Sequence, residues 1–221
     1  MAQNYFDLPQ PCKLLRRLVG VGIVLILFGD RPFGIPTLRA IALSQELDAT
    51  WGGDQVITQA QIEPDNTLGD LFFINPNGII FGENASLDIN GSFLATTADA
   101  IQFAEQGEFN AVDPKTPPLL TVQPSALFFN QMQPGTIESR SIATAGTSAT
   151  GNNLLFGLRV PDNENLALIG GDIVIDGGAA DGGLFALDGR IELGGLAEPG
   201  LIGLNEDGSL NFPANVARAD V

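Results

Sequence analysis

Apolar positions fall into two regimes along the chain. Leu18 to Phe28 is one unbroken run without a polar side chain, stopped by Gly29 and Asp30. From Leu71 onward the pattern changes to short apolar runs that recur every eight to twelve residues. They include Leu71 to Ile74, Gly78 to Phe81, Ser92 to Ala95, Leu119 to Val122, Ala126 to Phe129 and Leu166 to Ile169. Ile173 to Ile175, Arg190 to Leu193, Leu201 to Leu204 and Ser209 to Phe212 continue the series. Gly, Asn, Asp and Pro separate these runs, and those are the residues that turns require. Asn77-Gly78, Asn90-Gly91, Asp176-Gly177, Asp188-Gly189 and Asp207-Gly208 are turn pairs. No stretch in this region keeps the three-and-four spacing of a helical face for more than two turns. The pattern predicts an all-β protein over residues 70–221.

Two all-β architectures stay open on this pattern. A sandwich or barrel built from hairpins commonly uses strands of five or six residues, and most of these runs are shorter. A parallel β-helix winds short strands into coils, each pairing with the next. A weak repeat points that way. Gly170, Gly171, Asp172, Ile173, Val174, Ile175 is echoed by Asp188, Gly189, Arg190, Ile191, Glu192, Leu193, and Asp188-Gly189 by Asp207-Gly208. A spacing of about 18 to 19 residues suits one coil whose inward Ile, Val and Leu stack in columns.

Charge changes the reading of the head. Lys13, Arg16 and Arg17 precede the apolar run. As a helix that run covers about 16 Å, roughly half the hydrocarbon core of a bilayer. A basic stretch before an apolar segment of that length predicts an N-terminal signal helix within residues 1–44. An uncleaved anchor and a buried core helix are the competing readings. Small residues near Ala42 to Ser44 offer one cleavage point, and Thr58, Gln59, Ala60 offer another. Residues 45–69 then read as a linker and the residual start of the domain. Cys12 precedes the apolar run and would leave with it.

Composition removes several function classes. The chain has 221 residues, 10 Lys and Arg, 26 Asp and Glu, no His and one Cys, for a net charge of −16. Five of the basic residues but only two of the acids (Asp7 and Asp30) lie in residues 1–45, so the body is strongly acidic. Such a body argues against a nucleic-acid partner, because phosphate binding needs Lys and Arg. The absence of His excludes histidine metal sites and Ser-His or Cys-His nucleophiles, and a lone Cys excludes an internal disulfide.

Asn75, Pro76, Asn77, Gly78 and Ile79 form the most specific local signal. Pro76 fixes φ near −65° and steers Asn75 out of the helical region. The first four residues suit a type I or II turn, and Asn75 can bond backbone groups that a corner leaves unpaired. Ile79 to Phe81 then resumes a strand. The stretch Asp70 to Phe103 (DLFFINPNGIIFGENASLDINGSFLATTADAIQF) resembles the haemagglutination-activity, or two-partner secretion, domain of filamentous-haemagglutinin-like exoproteins, especially the cyanobacterial type. Leu119 to Gln131, Leu155 to Gly195 and Ala217 to Asp220 are similar to later parts of that domain.

The resemblance implies a right-handed, single-stranded parallel β-helix over residues 70–221. It implies a non-enzymatic module without a cofactor that leads export of a large adhesin. The implied partner is an outer-membrane transporter barrel with periplasmic recognition domains, and the implied destination is the cell surface or the medium, reached through the periplasm. Cell-surface glycans are a further partner class. Asn75 to Ile79 matches the family's NPNGI signature, so these five residues are the candidate secretion motif. They have two compatible readings: a corner that holds strand register, and a feature read by the transporter. Gln61 to Gly69 resembles the family's mature beginning, but Asp70 follows at once where relatives carry several dozen residues of early coils. The second Asn-Pro motif of the family has no counterpart. The chain therefore reads as an internally deleted, C-terminally short relative with an incomplete domain.

Other constellations compete with that reading. Asp172, Asp176, Asp181 and Asp188 sit among glycines as calcium-repeat acids do, but alternate-residue ligands in series are missing, so turn acids in water are favoured. Spaced carboxylates on a β-helix could bind or cut polysaccharide, which makes a carbohydrate-active protein the alternative function. A non-functional fragment of an exoprotein gene is the other alternative. Asn84-Ala85-Ser86 and Asn90-Gly91-Ser92 fit the glycosylation pattern, as short polar turns often do. No catalytic or metal residue is assigned.

Overall fold

The computed structural model describes residues 70–221 except 88, 90, 105–106, 113–123 and 206–208, together with the backbone of three earlier strands. Those strands are β1 (Gly22–Ile26), β2 (Ile41–Gln45) and β3 (Val56–Ile57). The chain continues through β4 (Leu71–Ile74), β5 (Ile79–Phe81), β6 (Phe93–Thr96), β7 (Ala100–Gln102) and β8 (Glu108–Asn110). Next come β9 (Ala126–Phe129), β10 (Ile137–Ser139), β11 (Thr144–Thr147), β12 (Leu154–Arg159) and β13 (Leu166–Gly170). The last strands are β14 (Ile173–Ile175), β15 (Gly183–Phe185), β16 (Ile191–Gly195), β17 (Gly200–Leu204) and β18 (Leu210–Asn211). No α-helix occurs among the described residues. The protein is all-β.

Two of its sheets are purely parallel. A central sheet has the order β16-β13-β6-β4, and an outer sheet the order β14-β10-β5-β3. The third large sheet, β18-β17-β9-β7-β8, is antiparallel throughout. A smaller sheet joins the β11–β12 hairpin to β15. The chain passes from the central to the outer sheet by short corners, from Ile74 to Ile79 and from Gly170 to Ile173.

The central sheet is buried on both sides. On one side Leu71, Phe73, Phe93, Ala95, Leu166 and Leu168 pack with Ile79, Ile137 and Ile173 of the outer sheet. On the other, Ile74, Leu94, Ala167 and Ile169 pack with Ile101, Leu127, Phe129 and Ile202 of the antiparallel sheet. Every residue of β13 is consequently buried. This is the continuous apolar pattern of a parallel strand covered on both faces, not the alternation of a half-exposed one. Each fully buried Leu or Ile contributes about 1.5–3 kcal/mol relative to an exposed one.

Register is reinforced by polar side chains at the strand starts. Asp70 Oδ1 accepts the Ser92 N–H (3.0 Å), Ser92 Oγ the Asn165 N–H (3.0 Å), and Asn165 Oδ1 the Arg190 N–H (3.1 Å). One rung after another ties β4, β6, β13 and β16 together at their entry.

Several expectations from the sequence need correction. The 18-to-19-residue spacing does not set the stacking: Ile173 pairs with Ile137, whereas Ile191 pairs with Leu166. The rungs are separated instead by 22, 73 and 25 residues, because insertions of different length leave the sheet between them. Ala126–Phe129 and Leu201–Leu204 are strands but pair antiparallel with each other, outside the parallel sheets. Their apolar faces cover the second face of the central sheet. Of the segment expected as a signal, the backbone of Gly22–Ile26 is described, paired antiparallel with Ile41–Gln45. Apart from the strand backbones of β1 and β2, residues 1–44 lie outside the described residues, Cys12 among them, as do the cleavage point at Thr58 to Ala60, Leu119 to Val122 and the Asp207-Gly208 pair; the cleavage point at Ala42 to Ser44 falls within β2. Val56–Ile57, within the stretch read as linker, extends the outer sheet beside Ile80–Phe81.

Candidate functional site

The five residues of the candidate motif make the first corner between the central and outer sheets. The Asn75 N–H donates to Thr96 O (2.9 Å), which anchors the end of β4 to β6. Asn75 Oδ1 accepts the Asn77 N–H (3.2 Å) and lies 3.4 Å from Asn77 Nδ2. The Gly78 N–H donates to Asn75 O (3.2 Å) and closes the turn, and the Ile79 N–H donates to Thr136 O (3.0 Å) to start β5. Gly78 has φ +117°, a conformation that a side chain would strain. Asn75 is 2% exposed and Ile79 fully buried. Pro76 and Gly78 are also buried, and Asn77 alone of the five is exposed. The corner thus separates a structural asparagine from a presented one.

Three other passages of chain converge there. Gly135 lies directly over the turn: a Cβ on it would stand 2.6 Å from Gly78 N, 2.8 Å from Pro76 O and 2.9 Å from the Asn77 carbonyl carbon. The β6–β7 link supplies Thr97 and Asp99, both buried. Thr97 Oγ1 donates to Gly135 O (2.8 Å). Asp99 Oδ2 accepts the Asn130 N–H (2.6 Å), and Asp99 Oδ1 accepts Gln131 Nε2 (3.0 Å). Gln131 Nε2 also lies 3.4 Å from Pro76 O. The Gly171 N–H donates to Gly135 O (2.9 Å) from the second corner. Sequence reading did not single out Thr97, Asp99 or Gln131; Gln131 lies 32 residues from Asp99 along the chain, and only the fold joins them.

The remaining constellations hold no comparable site. Asp172 Oδ1 accepts the Asp220 N–H (3.3 Å), and Asp176 Oδ1 accepts the Gly178 N–H (3.0 Å). Asp181 and Asp188 occupy left-handed turn positions. Among the described residues no three His, Cys, Asp or Glu gather as a metal site, and no helix is long and apolar enough to cross a membrane. A shallow pocket of 230 Å³ opens beside the β11–β12 hairpin. Its one cation, Arg159, is tied to Ala145 O (3.0 Å), Thr147 O (3.1 Å) and Asp162 Oδ1 (2.8 Å).

Comparison with known families places the chain in one of them. The family model described as TPS secretion domain matches residues 59–220. The chain belongs to this family. Neither the curated proteins nor the solved structures give a significant match. The TPS secretion domain is a secretion module, and proteins that carry it are exported by two-partner secretion through an outer-membrane transporter. In this TPS secretion domain the matched span includes the Asn75–Ile79 corner and all three large sheets from Leu71 onward.

Proposed function

We propose that this TPS secretion domain is a non-enzymatic export-directing module of an adhesin-like exoprotein, recognised by the periplasmic domains of a partner transporter barrel. The observation that carries the reading is the family match over residues 59–220. We further infer that the central and outer parallel sheets are two faces of a parallel β-helix. Alternating visits to the two sheets support this: β4, β6, β13 and β16 lie in one, and β5, β10 and β14 in the other. An N-terminal signal within residues 1–44, delivery to the surface or medium, and adhesion there belong to the same proposal.

Asn75 and Asn77 have different roles in it. Asn75 shapes the corner from inside, and Asn77 is the side chain a partner can reach. Asn75→Ala is expected to cost about 1 kcal/mol of stability, since the Asn77 N–H loses its acceptor. Asn77→Ala is expected to leave stability within about 0.5 kcal/mol, as exposed substitutions usually do. Both are expected to lower the amount in the medium when the chain is co-expressed with its transporter in a Gram-negative host. Wild-type export of Asn77→Ala would remove the case for direct reading of the turn.

A further inference from the structure

We propose that the Asn130–Gly135 loop is the second half of the surface presented with Asn77, and that Asp99 and Thr97 are the residues that position it. The proposal rests on the export reading above and names the part of this chain that a partner would meet beside the turn.

Both ends of the loop are fastened to one floor. Asp99 is 5% exposed and turns both carboxylate oxygens toward the loop entry, one to the Asn130 N–H (2.6 Å) and one to Gln131 Nε2 (3.0 Å). An ionised carboxylate only accepts, so two donors from neighbouring loop residues suit it well. Thr97, fully buried, donates to Gly135 O at the loop exit (2.8 Å). Asp99 and Thr97 come from the same short β6–β7 link, so entry and exit are held by one rigid piece of backbone. The loop is also keyed to the turn. Gln131 Nε2 lies 3.4 Å from Pro76 O, and Gly135 has no room for a side chain over Pro76 and Asn77.

What lies between the two fastenings faces outward. Met132 is 72% exposed and Gln133 is exposed as well. Neither the turn nor the loop contains a charged side chain. An unbranched thioether beside polar amides suits a protein surface that is read by shape and hydrogen bonding rather than by charge. Because the chain belongs to a family exported through an outer-membrane transporter, the occupant proposed is the periplasmic region of that transporter.

The test is export of the full chain with its co-expressed transporter, measured with the melting temperature of each purified variant. Met132→Asp and Gln131→Ala are expected to lower export at least about fivefold, the scale on which a contributing interface residue acts. The melting temperature of Met132→Asp is expected to stay at the wild-type value, and that of Gln131→Ala to fall only by the few degrees that one lost hydrogen bond to the buried Asp99 carboxylate costs, leaving the chain folded at the export temperature. Met132→Leu is expected to export normally. Wild-type export of both Met132→Asp and Gln131→Ala overturns the proposal, and so does a loss that merely follows a fall in melting temperature. Loss with Met132→Asp alone keeps the surface and overturns the positioning role. If the unmodified chain is not exported, the export reading fails and this proposal with it; if Asn77→Ala is exported like the unmodified chain, the export reading stands and the surface shared with the turn is overturned.

Discussion

Leu168→Ala and Ile169→Ala are each expected to lower the unfolding free energy by about 2–5 kcal/mol, the usual cost of removing a large aliphatic side chain from a packed core. The two residues are neighbours on β13 and point to opposite faces, yet both are fully buried. Leu168 contributes to the core shared with the outer sheet, and Ile169 to the core shared with the antiparallel sheet. In a strand with one wet face only one of the pair would matter. Urea titration of the two variants checks this directly. Ile175→Ala, at 40% exposure on the sheet edge, serves as the control and should cost under about 1 kcal/mol. Since a domain is stable by only about 5–15 kcal/mol, either central substitution removes a large share. A small loss at Ile169 would mean that the antiparallel sheet does not cover the central one.

Gly135→Ala is expected to move the Asn75–Gly78 turn itself. The added methyl would meet Gly78 N, Pro76 O and the Asn77 carbonyl carbon, all within 3 Å. These are backbone atoms, so no side chain can swing aside, and one of the two passages has to shift. Overpacking of this kind costs about 1–3 kcal/mol and at times more. The same displacement breaks the bond from the Ile79 N–H to Thr136 O that starts β5. Two measurements should therefore fall together: the denaturant midpoint, and export with the co-expressed transporter. An unchanged midpoint would show that the loop has freedom to slide over the turn.

The strand positions were legible in the sequence because turn formers punctuate the chain at nearly every boundary. Leu71–Ile74, Ala126–Phe129 and Ile173–Ile175 lie where apolar runs placed them. Strands without such a run escaped notice. Thr144–Thr147 and Gly183–Phe185 owe their pairing to neighbours rather than to their own side chains. Partner choice was not legible either. Leu71–Ile74 and Ala126–Phe129 are both four-residue apolar runs, but one pairs in parallel and the other antiparallel, with partners that lie well beyond the next turn in the chain. The corner was recognised through Pro76 and Gly78, whose backbone demands are local. Its supporting residues, Thr97, Asp99 and Gln131, are brought to it only by tertiary packing. An aspartate in a turn-rich acidic chain has no local feature that marks it as buried.

The strand-pairing map also carries an order of events. β6 is laid on β4, β10 on β5, β13 on β6, β14 on β10, β16 on β13 and β17 on β9. In each case the template has already been made when the newcomer arrives from the C-terminal side. A polypeptide threaded through a narrow opening with its N-terminal side leading could therefore zip up progressively, each arriving segment finding its docking edge complete, with the free energy of each addition opposing backsliding.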